Sequence, residues 1–194
     1  MKTLVIYCHP EPKSFTAVMR DVVVAALQSA GHDVRLTDLY AEGFDPLVSA
    51  EEHGRHRSNP AGALGIAEHA NNLRWCESLV LVYPTWWAGQ PAMLKGWIDR
   101  VWSNGVAWEM PGGAHRIRPL LRNIGRITVV TTHGSSKIIN ALEGEGGKRT
   151  VMRSLRVLCH PLCRTRWLAL YNIDRSTADQ RNAFMKRVTE RLAR

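Results

Sequence analysis

Residues 1–40 set one short amphipathic stretch between two short apolar runs, and this alternation restricts the chain to few folds. Thr3-Leu-Val-Ile-Tyr7 is apolar and β-rich throughout, the pattern of a strand buried on both faces. Ser14 follows as a candidate helix cap. Phe15, Val18, Met19, Val22, Val23, Ala26, Leu27 and Ala30 then recur at helical spacing until Gly31 closes the helix. A second strand is expected over about 33–39, carrying Val34, Leu36 and Leu39. Strand, helix and strand this close together form a βαβ unit, which implies a parallel sheet.

The alternation continues along the chain. Residues 41–60 are polar and broken by Gly43, Pro46, Gly54 and Pro60, a length that compact domains leave without structure only for function or assembly. A helix is predicted around Ala61–Glu77, then a third strand at Ser78–Tyr83, a loop at Pro84–Gln90 and a helix opening at Pro91. Met93, Leu94, Trp97, Ile98, Val101 and Trp102 share one face of that helix. A loop over Ser103–Ile117 precedes a fourth strand at about Arg126–Thr132, followed by a Gly-rich loop up to Gly147. A helix near Lys148–Leu158, a strand near Thr165–Tyr171 and a helix from Thr177 to the end complete the pattern, with Ser176-Thr-Ala-Asp179 as its capping box. Five strands alternating with helices define a doubly wound α/β sheet. With 194 residues and no linker, residues 1–194 read as one domain.

Composition removes several classes. No apolar run approaches the roughly 18 residues that cross a bilayer, and His9, Pro10 and Glu11 interrupt the first one too early for a signal core. A cytoplasmic location without membrane insertion is expected. Cys8, Cys76, Cys159 and Cys163 fit reduced thiols. Cys159-His160-Pro161-Leu162-Cys163 lacks the second half of a zinc site, so no metal is expected. Net charge is +9, and residues 112–194 carry 17 Lys+Arg against 5 Asp+Glu. These cations are dispersed and no basic-aromatic reading element accompanies them, so nucleic acid is not an expected partner.

In such sheets a ligand binds beyond the carboxyl ends of the strands, where the winding reverses. The first loop there, Cys8–Ser14, lacks both G-x-G-x-x-G and the phosphate loop G-x-x-x-x-G-K-[ST]. It offers His9, Ser14 and Thr16 around a helix N-terminus, where free N–H groups and the macrodipole favour a phosphate. The second, Tyr83-Pro-Thr-Trp-Trp-Ala-Gly89, sets two adjacent indoles beside a glycine, and both cannot easily be core. The third, Thr131-Thr-His-Gly-Ser-Ser136, adds hydroxyls able to stabilise developing negative charge. Together they describe a pocket for a phosphorylated, planar aromatic cofactor, a flavin.

His9-Pro-Glu-Pro-Lys-Ser14-Phe15, Tyr83-Pro-Thr-Trp-Trp87 and Pro91-Ala-Met-Leu-Lys-Gly-Trp-Ile-Asp-Arg100 resemble the NAD(P)H:quinone oxidoreductases of the DT-diaphorase type. The likeness extends through Gly105-Val-Ala-Trp108 and Thr131-Thr132, over about residues 3–172. The resemblance implies a flavodoxin-like five-stranded parallel sheet of order 2-1-3-4-5 with helices on both faces. It also implies a homodimer, FAD (FMN as the alternative) and two-electron, ping-pong hydride transfer from NAD(P)H to quinones. His9, Ser14, Phe15 and Thr16 match the segment on the flavin phosphate side; Pro84, Thr85, Trp86 and Trp87 match the segment lining the ring. Thr131, Thr132 and Gly134 match the loop at its pyrimidine edge.

The chain also departs from that pattern. Thr16 stands where relatives often have Asn, His133 precedes Gly134 where many have a second Gly, and the long C-terminal extension of the animal enzymes is missing. Those enzymes relay a proton through a Tyr and a His; His133 and Lys137 are the candidates for that role here. Two alternatives carry different expectations: a regulatory subunit of a potassium efflux system, as some relatives are, and a flavodoxin-type electron carrier. The excess of Arg disfavours the second, because such carriers are usually acidic.

Overall fold

In a computed structural model, which describes residues 1–55, 65–112 and 115–193, a five-stranded parallel sheet forms the middle layer. Its strands are β1 (Lys2–Tyr7), β2 (Asp33–Asp38), β3 (Ser78–Pro84), β6 (Arg126–Thr132) and β7 (Arg164–Leu170), in the order β2-β1-β3-β6-β7. That is the expected order, with the last two strands renumbered by a small antiparallel pair, β4 (Trp108–Glu109) and β5 (Arg118–Pro119). β4 lies in the stretch read from sequence as a loop, Ser103–Ile117, and β5 directly follows it.

β3 is buried at every position, as a central strand covered on both faces must be. Two apolar layers cover it. Leu4, Ile6, Leu79, Leu81, Trp97 and Val129 belong to one, and Val5, Tyr7, Val80, Val82, Val130 and Phe184 to the other. Successive residues of each strand therefore point to opposite layers. Each fully buried large side chain contributes about 1.5–3 kcal/mol.

Helix α1 (Phe15–Ser29) starts where expected, because the Ser14 hydroxyl accepts from the Ala17 amide at 3.1 Å. Helix α7 (Ala178–Leu192) is capped one residue later than read: Thr177 and Gln180, not Ser176 and Asp179, form the capping box. The polar segment after β2 is structured by α2 (Ala50–Arg55) and by its dock on α4 (Ala92–Val101). There the buried Arg100 guanidinium binds Glu52 at 3.0 Å and the Asp45 carbonyl, and Pro46 packs so closely on Gly96 that no Cβ fits. Residues 56–60 of that segment lie outside the described residues.

Helix α3 runs over Ala67–Trp75, shorter than the predicted 61–77, whose residues 61–64 also lie outside the described residues. The stretch read as a loop up to Gly147 contains α5 (Lys137–Leu142) and the first residues of α6 (Gly146–Arg149). The helix expected at 148–158 changes pitch, from α6 into a π turn over Thr150–Leu155 and a 3₁₀ turn over Arg156–Leu158. All four cysteines are free and buried, and among the described residues no trio of His, Cys, Asp or Glu is placed to hold a metal. Among the same residues no helix is long and apolar enough to cross a membrane.

Candidate functional site

The chain passes from β1 outward to β2 and returns on the other side of β1 to β3, so the winding reverses between β1 and β3. The loops after β1, β3 and β6 meet at that edge. Thr85 joins the second and third: its amide donates to the Thr132 carbonyl at 2.8 Å, and its hydroxyl lies 2.9 Å from that of Thr131. The His9 and Trp86 rings approach edge-on at 6.3 Å and join the first loop to the second. Pro84, Thr85, Trp86, Trp87, Thr132 and Gly134 line a cleft of about 410 Å³. The turn after β7 supplies Ile173 and Asp174, which sequence reasoning missed.

The backbone of the second loop is strained. Trp86 and Gly89 exchange backbone hydrogen bonds at 3.1 and 2.9 Å around Trp87 and Ala88, whose φ values are +49° and +56°. This is the two-residue primed hairpin turn that glycine and asparagine favour, occupied here by a tryptophan and an alanine. Such strain persists where surrounding structure enforces it. The enforcement comes from α6: Gly147 N–H donates to the Ala88 carbonyl at 2.8 Å, and the Gln90 amide donates to the Gly147 carbonyl at 2.8 Å. The result presents Trp87 with 102% of its reference surface exposed, so this indole has no place in the core.

Behind Thr85 sits a buried polar network. His133 is 5% exposed; its Nδ1 lies 2.6 Å from Asn140 Oδ1 and its Nε2 3.4 Å from the Thr85 hydroxyl. The Asn140 amide group donates to Ser135 Oγ and the Ser136 carbonyl, which leaves its oxygen to accept from His133 Nδ1–H. The His133 ring stacks on Tyr171 at 4.6 Å. Burial pushes the imidazole below its ordinary pKa, with the Asn140 bond opposing. The neutral ring therefore offers Nε2 as an acceptor toward Thr85.

His133 thus sits behind the cleft wall, against Thr85, and does not itself line the cleft. Lys137 is exposed at the start of α5 and does not line the cleft. On the first loop, Ser14 caps α1, Phe15 packs against the core, and Thr16 is 4% exposed within the first turn. His9 Nδ1 accepts from the Glu11 amide at 2.9 Å and so fixes the loop's shape.

His133 and His69 are both held below the ordinary histidine pKa, in each case chiefly by burial. The unfolded chain then binds more protons than the folded one once pH falls below about 6.5, so stability is full above that value and declines beneath it. Urea midpoints measured between about pH 7.5 and 5 are expected to fall, and His133→Asn should make that fall shallower. An unaltered slope in the variant would show that His133 titrates alike in both states.

The sheet order and its crevice define a class, and comparison with known proteins agrees. A family model described as flavodoxin-like fold matches residues 1–193, and the chain belongs to that family. Within it, the chain is similar to the Homo sapiens ribosyldihydronicotinamide dehydrogenase [quinone], 29% identical over 164 residues, 76% of this chain and 70% of that protein. It is also 29% identical to the Cavia porcellus NAD(P)H dehydrogenase [quinone] 1, over 78% of this chain but 60% of that protein. The solved NAD(P)H:quinone oxidoreductase from Methanothermobacter marburgensis superimposes with a TM-score of 0.83 at 26% identity, covering 100% of this chain and 98% of that one.

Proposed function

We propose that residues 1–194 form one flavin-dependent NAD(P)H oxidoreductase that reduces quinones or similar electrophiles by two electrons in a ping-pong cycle. One observation carries this reading: the turns after β3, β6 and β7 line a 410 Å³ cleft, the loop after β1 abuts it through the His9–Trp86 contact, and a tightly clamped turn holds an uncovered indole, Trp87, at its rim. An open slot with a flat, solvent-exposed π-face suits a planar ring system. When bound there, the flavin supplies two-electron chemistry between a nicotinamide and a quinone.

The protein's own contribution is position and electrostatics. The α1 N-terminus, with His9, Ser14, Phe15 and Thr16, would hold the phosphate side, Ser14 keeping the helix end shaped. Pro84, Thr85, Trp86 and Trp87 would line the ring, and Thr131, Thr132 and Gly134 its pyrimidine edge. His133 is a positioning residue, fixing the Thr85 hydroxyl from behind. FAD is the cofactor of this reading and FMN the alternative, since both share the ring and first phosphate that these loops address.

Trp87, Ile138 and Leu142 are exposed apolar side chains on the strained turn and on α5, at the same edge of the sheet. This supports a homodimer whose second subunit covers the cleft. Four buried thiols suit a reducing cytoplasm.

Steady-state kinetics of the flavin-loaded protein with NAD(P)H and a benzoquinone series tests the proposal. Parallel double-reciprocal lines are expected. Intersecting lines would contradict the ping-pong order, and no oxidation of either nicotinamide would overturn the activity.

A further inference from the structure

Beside the cleft lies a second depression that the flavin reading leaves unused. It runs between the end of β7 and α7, has a volume of about 610 Å³, and is lined by Tyr171, Arg175, Gln180, Phe184 and Arg187 among others. Both arginines are exposed, and among the described residues neither is paired with a carboxylate. Arg187 is nevertheless held in place: it donates to the Ala169 carbonyl at 2.9 Å, and its guanidinium lies 5.0 Å from the Phe184 ring centre. Most of its five N–H donors remain for a ligand. Arg181, tethered to the Ser176 carbonyl and hydroxyl, adds positive charge at the same end of α7, opposed by Asp179.

The groove and the cleft share one short turn. Asn172 and Arg175 line the groove, while Ile173 and Asp174 between them line the cleft. Tyr171 connects the two in depth, since it lines the groove and stacks on the His133 that braces Thr85. A molecule with its reacting end in the cleft therefore meets the groove as the adjoining concave surface.

We propose that this groove takes the adenosine end of the dinucleotide and that Arg175 and Arg187 grip its 2′-phosphate, making NADPH the favoured reductant over NADH. The inference rests on the oxidoreductase reading and extends it to substrate choice. Two guanidinium forks match a phosphate monoester in shape as well as charge. The apolar floor of Leu170, Ala183 and Phe184, edged by the Gln180 and Asn172 amides, suits a nucleoside rather than a bare ion.

Calorimetric titration of the flavin-loaded protein with adenosine 2′,5′-bisphosphate, adenosine 5′-monophosphate and pyrophosphate tests the groove independently of catalysis. The bisphosphate is expected to bind about tenfold or more tightly than the monophosphate, and Arg175→Gln or Arg187→Gln to erase that margin. The ratio of kcat/KM for NADPH over NADH should fall by about tenfold in either variant. Thermal melting checks that the variants fold, and exposed Arg175 lacks the Ala169 bond that makes Arg187 partly structural. Equal binding of the two nucleotides, or variants that leave the margin intact, would overturn the proposal. Pyrophosphate binding as tightly as the bisphosphate would also overturn it, marking a general anion site. Failure of quinone reduction with the bisphosphate margin preserved would locate the error in the oxidoreductase reading instead.

Discussion

Trp87→Ala is expected to weaken flavin binding by about ten- to a hundredfold while leaving the fold of the apo-subunit, followed by circular dichroism, nearly unchanged. Within the subunit the indole is fully exposed, so its removal opens no cavity in the fold and forfeits no burial there. What it forfeits is stacking: truncating an aromatic platform under a flat heterocycle costs about 1–3 kcal/mol, and each 1.4 kcal/mol is tenfold in affinity. Titration of apo-protein with FMN and FAD, followed by quenching of flavin fluorescence, measures this directly. An unchanged dissociation constant would remove Trp87 from the site.

Gly147→Ala should damage both stability and cofactor binding, although Gly147 does not line the cleft. An added Cβ would stand 2.9 Å from Gly89 Cα and 3.1 Å from the Ala88 carbonyl oxygen, so α6 must withdraw from the turn it clamps. Overpacking of this kind costs about 1–3 kcal/mol. Withdrawal also loosens the Gly147–Ala88 hydrogen bond that helps hold Trp87 and Ala88 in the left-handed region. Flavin affinity is therefore expected to fall by about tenfold, through position alone. Gly54→Ala, in α2 where a Cβ meets nothing within 4 Å, is the matched control and should leave flavin affinity unchanged and stability equal or higher by up to about 1 kcal/mol. Wild-type stability and affinity in Gly147→Ala would show that the turn keeps its shape without α6.

These two residues illustrate what was legible in the sequence and what was not. The adjacent indoles announced themselves, because two tryptophans in a loop have no easy core explanation. The Gly147 clamp did not, because it joins residues far apart in the chain through backbone groups that every residue possesses. Ile173 and Asp174 were accessible in principle: the loop after the last strand ends at the same sheet edge as the other three. Its residues carry no motif that marks them as part of a site.

The same division runs through the fold. All five sheet strands were readable to within about a residue, since β1, β3 and β6 are apolar runs of a length only strands use. Helix α5 left no periodic trace, because Ile138, Ile139 and Leu142 face solvent and Asn140 is the buried member. The π turn at Thr150–Leu155 has no compositional signature. At α7, Ser176 and Thr177 both offer a plausible cap, and the preceding 3₁₀ turn at Ile173–Arg175 decides between them. Pro46 against Gly96 shows the same limit: the contact structures a polar segment that looked featureless, through a close approach visible only in three dimensions.

A flavin lying across the tips of β1, β3 and β6 is tested most directly by the visible spectrum of the purified protein, with chromatography of the chromophore released by heat. The predicted result is the absorption of protein-bound flavin in stoichiometric amount, released as FAD or FMN. A colourless protein that takes up neither nucleotide when both are supplied would contradict it.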